Sequence, residues 1–176
     1  MPNGPEIDNK HKNRFHAQDR TTSRPGHFYE ISGESMTHAK FEKISPSDKS
    51  LYGSRKLLLC GFSAKAQSKF MTVLKMVGLE TTPTVWATSE QSDTRLYDLL
   101  ELSDGTGRGA SSDLPRAIIV AGITEKELHR LMAVCRKSGM HQALWATLTP
   151  TSETWTLKQL LAELSAERRA FQKQKR

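Results

Sequence analysis

Two stretches decide how this chain folds: LLLCGFSAKAQSKFMTVLKMVG, residues 57–78, and IIVAGITEKELHRLMAVCRKSG, residues 118–139. Each opens on a short, nearly continuous apolar run, Leu57–Phe62 and Ala117–Ile123, of the kind expected of strands covered on both faces. Each then meets a glycine and a hydroxyl residue, Gly61 and Ser63 or Gly122 and Thr124. The hydroxyls stand where helix N-caps belong, and Thr124 with Glu127 spells a capping box. Behind them the apolar residues recur at helical spacing. Phe70, Val73, Leu74 and Val77 share one face, as do Leu128, Leu131, Met132 and Cys135. Gly78 and Gly139 close the helices where a left-handed residue is favoured.

The two stretches align at an offset of 61: Gly61 with Gly122, Ser63 with Thr124, Lys65 with Lys126, Met71 with Met132, Val73 with Val134 and Gly78 with Gly139. Further on, Val85-Trp86-Ala87-Thr88 resembles Leu144-Trp145-Ala146-Thr147 at an offset of 59, and a two-residue adjustment then aligns Leu96, Leu99 and Leu100 with Leu157, Leu160 and Leu161. Two copies point to a duplication and not to a solenoid, which needs about three or more repeats. The second strands, Thr84–Thr88 and Ala143–Thr149, are more mixed and suit sheet edges. A last helix begins near Thr94 in one copy and near Thr156 in the other. Leu157, Leu160, Leu161, Leu164 and Phe171 hold one face of the latter, and Thr156 with Gln159 spells another capping box.

The expected fold is α/β: a duplicated strand-helix-strand-helix unit forming one four-stranded, mostly parallel sheet of order 2-1-3-4, with helices on both faces. This order puts the apolar strands in the centre and relates the copies by a two-fold axis parallel to the strands. The alternative is an α+β sheet with one strand antiparallel. Copy one spans 56–102, a flexible linker 103–115, copy two 116–165 and a basic helix end 166–176. Residues 1–55 lack either period and are rich in Pro, Gly, Asn and Ser, so they are expected to form a disordered tail. Four of the six histidines (His11, His16, His27 and His38) scatter through it, and Met36 is a candidate alternative start.

Charge is uneven. The net charge is +7, and residues 166–176 hold five Lys or Arg against one acidic residue. Cys60 and Cys135 lie in apolar segments without metal-ligand spacing and read as buried thiols in a reducing compartment. With no signal-like segment and no apolar run of membrane-spanning length, the expectation is a cytoplasmic protein without a membrane partner.

The second copy, through LTPTSETWTLKQLLAEL (Leu148–Leu164), resembles the bacterial family named domain of unknown function 3783. In that family a strand ending in GF or GI opens the domain, and a TP motif with a downstream Trp precedes its closing helix. Gly122-Ile123, Thr149-Pro150 and Trp155-Thr156 fit, over roughly Arg116–Leu164. The first copy keeps Gly61-Phe62 but has Ser89-Glu90 and Arg95 near the places of the Pro and the second Trp, as a decayed copy would. The resemblance implies no activity.

No catalytic set, metal site or cofactor fingerprint emerges. Gly105-Thr106-Gly107-Arg108-Gly109 lacks the strand-to-helix context of a dinucleotide loop and reads as linker. Asp93, Asp98 and Glu101 accompany Arg95 on a short amphipathic helix, as a solvated face does. His129 and His141 have no ligand or nucleophile nearby in sequence. If all strands run parallel, Gly61, Ser63, Gly122 and Thr124 meet at a switch point where helix N-termini attract anions or nucleotides. Thr149 and Thr151, in the hydroxyl-rich loop before the last helix, are further ligand candidates. Arg168, Arg169, Lys173, Lys175 and Arg176 are candidate nucleic-acid contacts. The expected function is a non-enzymatic binding or interaction module with a protein partner; the alternatives are a small-anion or nucleotide-binding protein, or weak nucleic-acid binding.

Overall fold

The apolar run Leu57-Leu58-Leu59-Cys60 is wholly buried because its strand lies inside a sheet that is covered on both faces. The computed structural model describes residues 47–140 and 142–174. The elements are β1 (Lys56–Cys60), α1 (Ala64–Val77), β2 (Thr84–Ala87), a 3-10 turn Ser89–Gln91, α2 (Leu96–Glu101), β3 (Ala117–Ala121), α3 (Glu125–Lys137), β4 (Leu144–Thr147), a 3-10 turn Ser152–Thr154 and α4 (Leu157–Gln174). The sheet order is β2-β1-β3-β4, with the continuous apolar strands central and the mixed ones at the edges, as expected.

Alternation along the strands sorts the core into two layers. Leu57, Leu59, Trp86, Ile118 and Val120 pack with Phe70, Val73 and Leu74 of α1 and Leu128, Leu131 and Cys135 of α3. On the other face Leu58, Cys60, Val85 and Ile119 pack with Leu96 and Leu99 of α2 and Leu157, Leu160, Leu161 and Leu164 of α4. Burying each of these Leu or Ile side chains contributes roughly 1.5–3 kcal/mol.

β1 pairs parallel with β2 and β3 parallel with β4, but β1 and β3 run antiparallel. The sheet is therefore mostly parallel, as expected, with the antiparallel pairing at its centre. The cause is the path of residues 103–115, which are not the loose linker expected. Thr84 N donates to the Asp104 carboxylate at 2.7 Å. Gly105 N donates to Thr84 O, and Trp86 N to Thr106 O, both at 2.8 Å. The segment thus ascends the outer edge of β2, and Gln67 of α1 then holds Gly109 N at 2.7 Å and Ala110 O at 2.6 Å. Gly107, with φ 74°, is required there: a Cβ would overlap the carbonyl of Trp86. Having climbed to the end where β1 finishes, the chain enters β3 from that end and must descend.

The two halves are accordingly related about an axis normal to the sheet, not parallel to its strands. Leu58 lies opposite Ile119 and Arg95 bridges Thr156, each pair separated by 61 residues, so the axis passes through both. Mirrored bonds flank it: Leu96 N to Trp155 O, and Leu157 N to Thr94 O. At this constant spacing Trp86, opposite Leu59, corresponds to Thr147, opposite Val120, while Trp145 lies opposite Ile118. The likeness of the two Trp tetrapeptides is therefore two residues out of register, and no adjustment is needed to align the last helices.

Residues 47–55, which fall within the expected tail, bond to the fold, and residues 1–46 lie outside the described residues. Leu51 N donates to Ile123 O at 2.8 Å, and Ser50 bridges Thr124. His11, His16, His27, His38, Met36, His141, Lys175 and Arg176 lie outside the described residues. Among the described residues, no helix is long and apolar enough to cross a membrane.

Candidate functional site

The antiparallel centre separates residues that a parallel one would gather. Cys60 pairs with Ala117 and Lys56 with Ala121, so Gly61 and Ser63 stand at one end of the sheet, and Gly122 and Thr124 at the other. Thr149 and Thr151 follow β4, which runs parallel to β3, and lie at the Gly122 end. The expected crevice shared by Gly61, Ser63, Gly122 and Thr124 is not formed.

The Gly122 end has its own acids and caps. Thr124 and Glu127 complete the expected capping box, with Glu127 N donating to Thr124 Oγ1 at 3.1 Å and Thr124 N to the Glu127 carboxylate at 2.8 Å. Arg55 grips the same carboxylate through both terminal nitrogens, at 2.9 and 2.7 Å. This guanidinium, more than any other influence, lowers the Glu127 pKa to about 2. The Thr149 and Ser152 hydroxyls bond each other at 3.0 Å, and each accepts from the other's backbone N–H, which fixes the loop before α4. Tyr52 donates to Glu153 at 2.9 Å, and this bond raises the pKa of the phenol.

The Gly61 end is different. Gly61, Pro115, Arg116, Gln142, Leu144, Ser165, Arg168 and Arg169 line a cleft of about 480 Å³, within the roughly 300–1,000 Å³ range of ligand pockets. Three guanidiniums meet in it, and among the described residues no carboxylate lines it. Arg116 donates from Nε to Gly61 O at 3.3 Å and lies over the Phe62 ring, 5.0 Å from its centroid. Arg168 donates to Gln142 O, which ties α4 to the turn before β4. A Cβ on Gly61 would overlap Leu114 O and the backbone of Arg116, so the glycine lets that backbone cross the end of β1.

Two departures from the two-fold create this cleft. Arg55 crosses Gly122 as Arg116 crosses Gly61, at the constant spacing of 61. In the place of Glu127, however, the first half has Ala66, and the first turn of α1 holds no acid. The second departure is length, since α4 has 18 residues where α2 has 6. The extra turns bring Arg168 and Arg169 over the Gly61 end.

Of the residues singled out in the sequence, the cleft contains Gly61, Arg168 and Arg169. Ser63 caps α1 at the same end, accepting from Ala66 N at 3.4 Å, but does not line the cleft. Lys173 lies one turn beyond Arg169 on α4. Sequence reasoning missed Arg116, Gln142, Leu144 and Ser165. For Arg116 the signal was present, as an arginine 61 residues after Arg55 with no acid to match Glu127. Phe171 was assigned to the buried stripe of α4 but is 46% exposed, because the helix outruns the sheet beneath it.

The thiols of Cys60 and Cys135 are buried, unpaired with each other and pushed up to about 12 by desolvation, so both are protonated at neutral pH and poor nucleophiles. Asp98 pairs with Arg95 at 3.5 Å on an exposed face. Among the described residues, no group of three or more His, Cys, Asp or Glu is placed to hold a metal ion.

The fold defines a four-stranded α/β unit with a cationic cleft at one end of its sheet. Residues 116–171 match the family described as Domain of unknown function (DUF3783). This segment supplies every lining residue of the cleft except Gly61 and Pro115. Comparison with curated proteins and with solved structures gives no match.

Proposed function

We propose that this chain is a non-enzymatic binding module that takes an anionic group in the Arg116–Arg168–Arg169 cleft. The observation that carries this reading is the convergence of three guanidiniums in a cleft without a lining carboxylate. Arginine presents a planar fork of donors that matches carboxylate and phosphate oxygens. The other half shows what such an arginine does when an acid is supplied: Arg55 binds both oxygens of Glu127. In the first half the acid comes from a ligand. The same proposal treats the two halves as products of a duplication, supported by the spacing of 61 that relates pairings, glycines and caps. The buried, unpaired thiols suit a reducing compartment such as the cytoplasm.

Titration with inorganic phosphate, followed by backbone amide and arginine Nε shifts, tests the site. Shifts at Gly61, Arg116, Arg168 and Arg169 are expected, and Arg116→Gln or Arg168→Gln should each weaken binding about tenfold, the scale of one lost charge-assisted hydrogen bond. Shifts confined to Thr124 or Thr149, or none at millimolar phosphate, would overturn the proposal.

A further inference from the structure

We infer that the anionic group is the carboxylate of an extended acidic peptide, whose backbone adds to the open outer edge of β4 as a further strand. The inference rests on the cleft reading above and adds the partner class. Its basis is a difference between the two edges of the sheet. Leu144 N donates to Arg116 O and Leu148 N to Val120 O, so Leu144, Ala146 and Leu148 turn their backbone toward β3. Trp145 and Thr147 turn theirs outward. Among the described residues, nothing bonds the Trp145 N–H, the Trp145 carbonyl or the Thr147 N–H. The strand Leu-Trp-Ala-Thr also carries no charge or proline of the kind that blunts an edge.

The first half shows what belongs there. At the spacing of 61, Trp145 and Thr147 correspond to Thr84 and Trp86 of the other edge. Thr84 N donates to the Asp104 carboxylate at 2.7 Å, while Thr84 O accepts from Gly105 N and Trp86 N donates to Thr106 O, both at 2.8 Å. An extended segment led by an acid thus closes that edge, and every residue of β2 is buried. The counterparts of residues 103–106 are residues 164–167, which are taken up by α4. Leu144 and Trp145 accordingly remain partly exposed.

The open edge begins where the cleft is, since Leu144 is both a wall of the cleft and the first residue of β4. The two-fold carries the Asp104 carboxylate to the Trp145 amide, at the end of β4 where Arg116, Arg168 and Arg169 converge. A peptide that runs along β4 as residues 104–106 run along β2 meets the arginines with its leading acid. The residues that follow meet the free backbone. A simple anion uses only the arginines, and a nucleic-acid backbone has no N–H and C=O groups to offer the edge. A second copy of this chain brings a like net charge of +7, whereas an acidic segment complements the guanidiniums. In strand addition of this kind main-chain bonds supply affinity and the anchored side chain supplies specificity.

The test uses the full chain and the acetylated, amidated hexapeptide Ser-Asp-Val-Thr-Val-Thr, with its acid in the place of Asp104. Amide hydrogen exchange and backbone shifts are the readouts, with acetate and inorganic phosphate as comparison ligands. In the free chain the Trp145 and Thr147 amides should exchange rapidly at every protein concentration. The peptide should slow both about tenfold or more, compete with phosphate for Arg116, and bind about tenfold more tightly than acetate. Methylating the nitrogen of its first Val, the counterpart of Gly105, removes the bond to the Trp145 carbonyl and should weaken binding about tenfold. Methylating the Thr that follows should weaken it much less, since the N–H of its counterpart Thr106 bonds Ser103 O and not β2. Exchanging the peptide's Asp for Asn should cost about the same factor as the first methylation. Thr147→Pro, which removes an outward N–H and spares the ladder to β3, should weaken the peptide about tenfold and leave the phosphate shifts at Arg116 unchanged. Should that variant not fold, the two methylated peptides decide. Four outcomes overturn the inference while leaving the cleft reading intact: phosphate shifts with no slowing at Trp145 and Thr147, amides already protected in the free chain, protection that grows with protein concentration alone, as a second copy gives, or equal effects of the two methylations. Absence of the phosphate shifts themselves overturns both.

Discussion

Arg55 holds both carboxylate oxygens of Glu127, and the pair joins the segment before β1 to the first turn of α3. Residues 47–55 contribute little apolar burial, so such polar ties, with the Leu51–Ile123 backbone bond, are what attach them to the fold. The guanidinium also completes the neutralisation of an acid that caps a helix N-terminus, where negative charge is already favoured.

Replacing Arg55 by Gln should raise the Glu127 pKa from about 2 toward its ordinary 4.5. A depressed carboxylate contributes stability that is present above its unfolded pKa and lost as pH falls through the folded one. Wild type should therefore lose this contribution between about pH 4.5 and pH 2, and the variant should lack it above that window. Both partners are partly exposed, so the cost at pH 7 should stay near or below about 1 kcal/mol. Carboxyl carbon shifts against pH measure the first effect and urea unfolding the second. An unmoved Glu127 titration would show that the capping box alone sets its acidity.

The glycines that start the two alignments should differ sharply from those that end them. Gly61 and Gly122 have φ of 70° and 62°, and a Cβ on either would overlap backbone, that of Leu114 and Arg116 or that of Gly53 and Arg55. Gly78 and Gly139 are also left-handed, but a Cβ on either meets nothing within 4 Å. Gly78→Ala and Gly139→Ala should cost about 1–2 kcal/mol, the left-handed penalty alone. Gly61→Ala and Gly122→Ala should cost about 3–5 kcal/mol, because strain and overlap act together. Urea unfolding of the four variants measures the contrast, and equal losses would mean that the crossing segments give way easily.

Strand placement was legible because burial on two faces writes itself as an unbroken apolar run, as in Leu57–Cys60 and Ala117–Ala121. Helix limits were legible because Ser63, Thr124, Gly78 and Gly139 each have a local steric or hydrogen-bonding reason to stand where they do. The direction of β3 was not. It depends on where the chain goes between Ser103 and Pro115, and a run of Gly, Ser and Asp reads the same whether loose or bonded along an edge. Nor was the register of Trp145 legible, since register is set by the partner strand and not by resemblance to Trp86. The cleft joins Arg116 to a helix end some fifty residues later, and only the topology brings them together.

The buried thiols give a third prediction. Desolvation pushes Cys60 and Cys135 up to about 12, and the thiolate is the reactive form. Neither should react with a disulfide reagent at pH 8 on the time scale of minutes, and both should react at once in denaturant. Rapid native-state modification of Cys60, the buried last residue of the central strand β1, would contradict the packing described for that strand.

The departure of the first half from the second can be reversed by one substitution. Ala66 holds, behind Ser63, the place that Glu127 holds behind Thr124, and its amide already bonds the Ser63 hydroxyl as Glu127 bonds Thr124. Ala66→Glu should place a carboxylate within reach of Arg116 and rebuild there the pair that Arg55 makes. If Arg116 binds the ligand's anionic group, this internal acid competes with it, and phosphate affinity should fall about tenfold, the scale of the bond displaced. Stability should rise slightly, since an acid in the first turn of a helix also meets the favourable end of its dipole. Ala64→Glu, on the same turn but at the first helical position, controls for charge alone and should change phosphate binding much less. Equal weakening by the two variants would show a diffuse field at work and not a specific pair. Undiminished phosphate binding by Ala66→Glu, with its new carboxylate titrating at low pH beside Arg116, would remove Arg116 from the site and leave Arg168 and Arg169 to hold the anion.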